Sequence, residues 1–507
     1  MISVSPMLQQ ARDYEREHTA VSGKEERPLF HLTPPVGWMN DPNGFCRYQG
    51  QYHLFFQYHP YSLQWGPMHW GHVVSDDLLR WTYRPCALAP DTETDAGGCY
   101  SGSAVETPDG KLLLCYTGVQ GADASHDEIQ AQCIAVGDGE NFEKSPLNPV
   151  IRRTHLPEGF SASDFRDPRI WRTADGYCLA AGGLHEQREG AALLLESPDA
   201  LNWHFAGELD ASGGKCGGMW ECPDFFELDG THVLLVSPVE MRARGEFHAG
   251  AGTVAILGDF DSKSRRFTRK QMQPVDHGLD FYAPQTVSAP DGRRIMIGWM
   301  DNWQNCKEAP RVHSWYGQMS MPRELYVRGG RLCQRPVREI SSLWQDTVVC
   351  ERTPVQEAVS FDGIRRRMMD LSLTLCPEGS ACRRFTLLAA RDGDHETRIT
   401  WDRPAGELIF DRSAAGSRRD IAHIRRVPAR ERDGRLSLRL LLDRESVELF
   451  INGGERTITA LIPSPPEADQ ILLSADAPIH VSAEAHHLSG SAPAMQFLSP
   501  LRMDTEA

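Results

Sequence analysis

The sequence predicts an all-β protein, a five-bladed β-propeller followed by a C-terminal β-sandwich, and three observations carry that prediction. Between about Pro34 and Arg335, short apolar runs broken by Asp-Gly, Gly-Gly and Pro recur at intervals of about sixty residues, room for one four-stranded blade per repeat. Beyond Pro336 the period stops, and cleanly alternating runs such as MDLSLTL and RLSLRLLLD take over. No helical pattern longer than a few turns interrupts either region.

In chain order, residues 1–30 form an N-terminal extension whose first twenty or so residues suit a short helix with a thin apolar stripe. Residues 31–337 hold the repeats. Their starts are NDPNGFCRYQGQYHLFFQYHP, YSGSAVETPDGKLLLCYTG, FRDPRIWRTADGYCLAAGG, WECPDFFELDGTHVLLVSP and FYAPQTVSAPDGRRIMIGW. Each is a polar motif, usually with a proline, then a strand, a turn and a strongly apolar strand. Asp41, Ser101, Asp167, Glu221 and Tyr282 are taken as equivalent positions, so that they converge at one end of a central channel. VREISSLWQ reads as a short helical connector within a linker at 338–348. The second domain then spans 349–507, where ELFINGGERTIT carries an Asn-Gly hairpin signal.

Composition narrows the partners. Lys and Arg total 53 against 69 Asp and Glu, a formal charge of -16 that repels nucleic acid and anionic lipid and suits a small neutral substrate. The opening residues lack the apolar core of a signal peptide, and no apolar run is long enough to cross a bilayer, so a cytoplasmic location is expected. The thirteen cysteines form no C-x-x-C pair, which fits small buried thiols in a reducing compartment. No metal is expected: His69 and His72, three apart on a strand, would point to opposite faces, with His53 and His59 nearby. Nor is a cofactor, because neither a G-x-x-x-x-G-K-[ST] loop nor a G-x-G-x-x-G element is present. Oligomeric state is not legible.

Cleaving a glycosidic bond needs one protonated carboxyl for the leaving oxygen and one ionised carboxylate for the sugar carbon. Asp41, in WMNDPNG, has Asn40 and Asn43 to hold an ionised carboxylate. Glu221, in WECPD, is flanked by Trp220 and Cys222, whose apolar surroundings favour a proton donor. Asp-Pro and Asp-Gly pairs are also ordinary turn punctuation, the reading adopted for Asp109, Asp229 and Asp291. Taken alone, the residues leave catalysis and turn-making open for Asp41, Asp167 and Glu221.

Together, HLTPPVGWMNDPNG, FRDP, the EC motif, MPREL and the later DRESVELFINGG resemble family 32 of the glycoside hydrolases, the invertases, sucrose-6-phosphate hydrolases and fructanases. The resemblance implies the propeller-plus-sandwich fold and retaining cleavage of terminal β-fructosyl bonds through a covalent intermediate. It implies Asp41 as nucleophile, Glu221 as acid/base and Asp167 as transition-state stabiliser, with Arg166 beside it. It further implies a fructosyl pocket shaped by Trp38, Met39, Asn40, Gln57, Trp65, Tyr100, Ser101, Tyr282 and Trp299. Tyr100 departs from the family's usual phenylalanine. Arg311, Lys307 and His313 lie in a candidate rim loop. Sucrose, sucrose 6-phosphate, raffinose and short fructans remain open as substrates. Fructosyl transfer, an arabinosidase on a related propeller and a non-catalytic binding module are the competing readings.

Overall fold

The computed structural model describes residues 4–19, 27–121, 129–186, 189–304, 306, 313–416 and 422–489. The chain is mostly β. Among the described residues, the first two-thirds of the chain form five sheets of four antiparallel strands each, four of them from consecutive strands, with one extra strand added to the first sheet. The sheets start at Gly37–Tyr48, Gly98–Glu106, Phe160–Thr173, Trp220–Leu228 and Tyr282–Ser288. Those first strands touch in sequence order, and the fifth touches the first, so they form a ring.

A two-residue strand closes the ring. Trp315–Tyr316 leaves the fifth sheet between its second and third strands and pairs in parallel with Gly37 and Trp38 of the first. Met319 N–H donates to the Leu32 carbonyl at 2.8 Å, tying the same crossing to the start of the first repeat. Gly317, at φ +92°, lies so close that a Cβ there would sit 2.2 Å from the Met39 carbonyl oxygen, so only glycine fits.

Helix Pro6–Thr19 docks on the first sheet. Its buried face includes a carboxylate, Glu15, which accepts the Cys86 N–H at 3.0 Å and is pushed up to about 8 by burial. Arg12 reaches the Cys86 carbonyl and Asn141. Among the described residues no helix is long and apolar enough to cross a membrane.

A 3-10 turn, Arg338–Leu343, buries Ile340 and Leu343, and the next strand starts at Trp344, inside the stretch expected to be linker. The rest forms a six-stranded and a five-stranded antiparallel sheet around one shared apolar core. The expected hairpin is present, Ser446–Ile451 to Arg456–Leu461, with Asn452, Gly453 and Gly454 all at positive φ. Between the two regions lies a buried cluster of charges. His31 bridges Asp443 and Glu448, both at 2.8 Å, and Arg323 binds Glu448, Asp276 and the Thr459 hydroxyl.

All thirteen cysteines are free thiols, buried except for the partly exposed Cys350 and Cys376.

Candidate active site

Every first strand breaks register at the same depth. The breaks follow Met39, Tyr100, Arg166, Glu221 and Tyr282, and in four strands a proline lies in or next to the bulge: Pro42, Pro168, Pro223 and Pro284. Proline suits a bulge, where no ladder N–H is needed. Asp167, Cys222 and Ala283, each just before its proline, have positive φ of 63°, 49° and 48°. This register corrects the sequence alignment. Asp167 is equivalent to Cys222 and Ala283, whereas Glu221 and Tyr282 are equivalent to Arg166, one position earlier.

The offset sorts the polar groups into two tiers. In one, the residues before the bulge form a row: Arg166 Nε and Nη2 donate to Glu221 Oε1 at 3.2 and 3.0 Å, and the Tyr282 hydroxyl meets Glu221 Oε2 at 2.5 Å. In the other, the bulge residues link around the axis. Asp41 accepts from Ser101 Oγ at 2.7 Å and from Asn40 Nδ2 at 3.1 Å, while Cys222 N–H donates to Asp167 Oδ2 at 2.9 Å. The Cys222 thiol lies 3.5 Å from Asp41 and 3.6 Å from Asp167, joining the two carboxylates.

Both tiers open into a cavity of about 330 Å³ lined by Asn40, Asp41, Gln57, Trp65, Tyr100 and Ser101, and by Gln130, Ser163, Asp164, Arg166, Asp167, Glu221 and Trp303. Burial, then the Glu221 charge, raises Asp41 to about 6 against the hydrogen bonds of Ser101 and Asn40. Asp167 is raised too, by burial first and by the Glu221 and Asp41 charges, with Arg166 opposing. The apolar surroundings expected for Glu221 are not what its carboxylate meets. A guanidinium and a phenol hold it instead, because Trp220 and Cys222 point elsewhere in the pleat: Trp220 donates to the Cys216 carbonyl.

A pH dependence follows. If Asp41 works ionised, kcat/KM falls as pH drops through about 6, and Ser101→Ala, which removes a bond that lowers Asp41, moves that limb upward. A pH–rate profile checks both, and a limb near the ordinary aspartate value in wild type and variant alike sinks the assignment.

The structure brings nine of the sequence-predicted residues to the cavity wall and sets four behind it. Trp38 donates to Asn40 Oδ1 at 2.7 Å and stacks on Tyr316, with ring centroids 5.0 Å apart. Met39, Tyr282 and Trp299 are fully buried, Tyr282 with its hydroxyl bonded to Glu221. Gln57 donates to the Cys99 carbonyl. Gln130, Ser163, Asp164 and Trp303 were not expected. Adjacency to the FRDP motif could have signalled Ser163 and Asp164, and the second Trp of WMDNW could have signalled Trp303. Lys307 and Arg311 lie outside the described residues, and His313 stacks on Trp315 and bonds Glu445. His53 and His72 meet at 3.1 Å in the first sheet, and His69 bonds the Pro67 carbonyl.

Known proteins resemble this chain in sequence and in fold. The Escherichia coli sucrose-6-phosphate hydrolase is 38% identical over 456 residues, 88% of this chain and 91% of that protein. The E. coli raffinose invertase is also 38% identical, covering 90% and 93%. Among solved structures, the Bombyx mori GH32 beta-fructofuranosidase, in a mutant form complexed with sucrose, superimposes with a TM-score of 0.82 at 35% identity, covering 97% of this chain and 100% of that one. Residues 31–336 match the glycosyl hydrolases family 32 N-terminal domain and residues 339–487 the family 32 C terminal region. With both regions matched in order over most of its length, this chain belongs to glycosyl hydrolase family 32.

Proposed function

We propose that this protein is a retaining β-fructofuranosidase of the invertase type, hydrolysing the terminal β-D-fructofuranosyl bond of sucrose or sucrose 6-phosphate. We read its architecture as a five-bladed propeller over 31–337 joined through the short turn at 338–343 to a β-sandwich whose described strands run from Trp344 to Leu488. The ring of first strands and the two sheets sharing one core support that reading. The buried thiols favour a cytoplasmic location.

The observation that carries the reaction is the gathering of Asp41, Asp167 and Glu221 around Arg166 in one cavity. Asp41, steered by Ser101 and Asn40, attacks the anomeric carbon and forms a fructosyl ester as the glycosidic bond breaks. Glu221 gives its proton to the leaving oxygen, then takes one from the water that hydrolyses the ester. Tyr282 explains where that proton waits. Its hydroxyl has one proton for two neighbours, Glu221 Oε2 and the Ser237 carbonyl at 3.0 Å, and the carbonyl can only accept. Giving its proton to Ser237 leaves the phenol oxygen to accept from a protonated Glu221. Asp167, fixed by the Cys222 N–H, binds fructosyl hydroxyls as positive charge grows on the sugar. The remaining predicted pocket residues orient the ring. None of these steps requires a cofactor.

Purified protein incubated with sucrose and followed by NMR should release glucose and, first, β-fructofuranose. Initial α-fructofuranose would replace double displacement by single displacement, and the absence of both sugars would overturn the function.

A further inference from the structure

We propose that Asp164 makes the leaving-group side of the cavity selective for an uncharged sugar and against one carrying a phosphate. The inference rests on the hydrolase reading above and names the substrate class within it.

The geometry starts from Arg166. One edge of its guanidinium, Nε and Nη2, is taken by Glu221, and Nη1 turns away to Asp164 Oδ1 at 3.1 Å and Gln130 Oε1 at 3.2 Å. Glu221 protonates the leaving oxygen, so the departing sugar begins beside that carboxylate, and the guanidinium joins it to Asp164 on the same cavity wall. Asp164 Oδ2 is fixed by the Ser161 hydroxyl at 3.1 Å, yet the side chain remains 31% exposed on the cavity wall. A carboxylate held this way accepts hydrogen bonds from sugar hydroxyls and repels a phosphate dianion.

The rest of the lining points the same way. Among the described residues of the wall, Asp41, Asp164, Asp167 and Glu221 face a single cation, Arg166, whose donors already serve Glu221, Asp164 and Gln130. Trp65 and Tyr100, packed edge to face with centroids 5.9 Å apart, offer apolar surface suited to the C–H faces of a neutral sugar. The chain's charge of -16 adds a long-range field of the same sign.

The test compares kcat/KM on sucrose and on sucrose 6-phosphate, because their ratio cancels damage to the shared fructosyl machinery. Wild type should favour sucrose by about tenfold or more at low salt. Added salt should narrow the gap by speeding the phosphorylated substrate alone. Asp164→Asn, which keeps an acceptor for Arg166 and Ser161, should narrow it by about fivefold or more, and Asp164→Glu, which keeps the charge, should preserve it. Equal or faster cleavage of the phosphorylated sugar by wild type overturns the proposal, as does a ratio unmoved by Asp164→Asn while sucrose is still cleaved. If neither sugar is cleaved, the hydrolase reading itself fails.

Discussion

Glu221→Ala lowers turnover of sucrose by about 10²–10⁴-fold, the usual worth of general acid catalysis, yet loses much less when an activated leaving group departs without a proton. Asp41→Ala loses at least about 10⁴-fold on both donors, since no fructosyl ester forms without its carboxylate. Azide restores breakdown of the ester in the Glu221 variant, because that anion attacks without a general base. Formation and breakdown of the intermediate, timed separately in variants whose fold is checked by circular dichroism, decide the matter. Leaving-group dependence in the Asp41 variant, with a uniform loss in the Glu221 variant, would reverse the two roles.

The second large effect concerns stability. Glu448→Ala strips a carboxylate from between His31 and Arg323, both fully buried, and leaves His31 with Asp443 alone and Arg323 with Asp276 alone, so that two buried cations share one carboxylate fewer, at a cost of about 3–5 kcal/mol. Glu407→Ala, which breaks an exposed pair with Arg426 at 3.6 Å, costs under about 1 kcal/mol. Urea unfolding of both variants makes the comparison, and equal losses would mean that the buried cluster does not hold the two regions together. Burial alone would lower His31, but Asp443 and Glu448 outweigh it and raise it to about 9. With the folded value above the unfolded one, near 6.5, its contribution is fully present below about 6.5 and disappears as pH rises through about 9. His31→Gln should flatten that alkaline loss.

Much of this was legible in the sequence. The five strand starts stood out because each pairs a polar motif with an apolar run, and the catalytic candidates stood out because their motifs are long and ordered. Register was not legible. Anchoring the repeats on acidic residues set Glu221 level with Asp167, whereas the bulges place it level with Arg166. Gln130 lies away from the repeat starts, so no pattern marks it. The His31 cluster joins partners more than 400 residues apart, beyond any local signal. The N-terminal helix looked weakly amphipathic because one position of its buried face is Glu15, which a hydropathy pattern counts as exposed.

The pairing of Trp315–Tyr316 with Gly37 and Trp38 has an order in synthesis. A ribosome that has just delivered Tyr282 has made every proposed catalytic side chain. It has not yet made the two residues that pair with Gly37 and Trp38, nor the glycine that backs Met39. Nascent chains that end between Tyr282 and Trp315 therefore carry all three carboxylates without the pairing that ties the last part of the ring to the first. That pairing forms only when the chain returns to its own beginning.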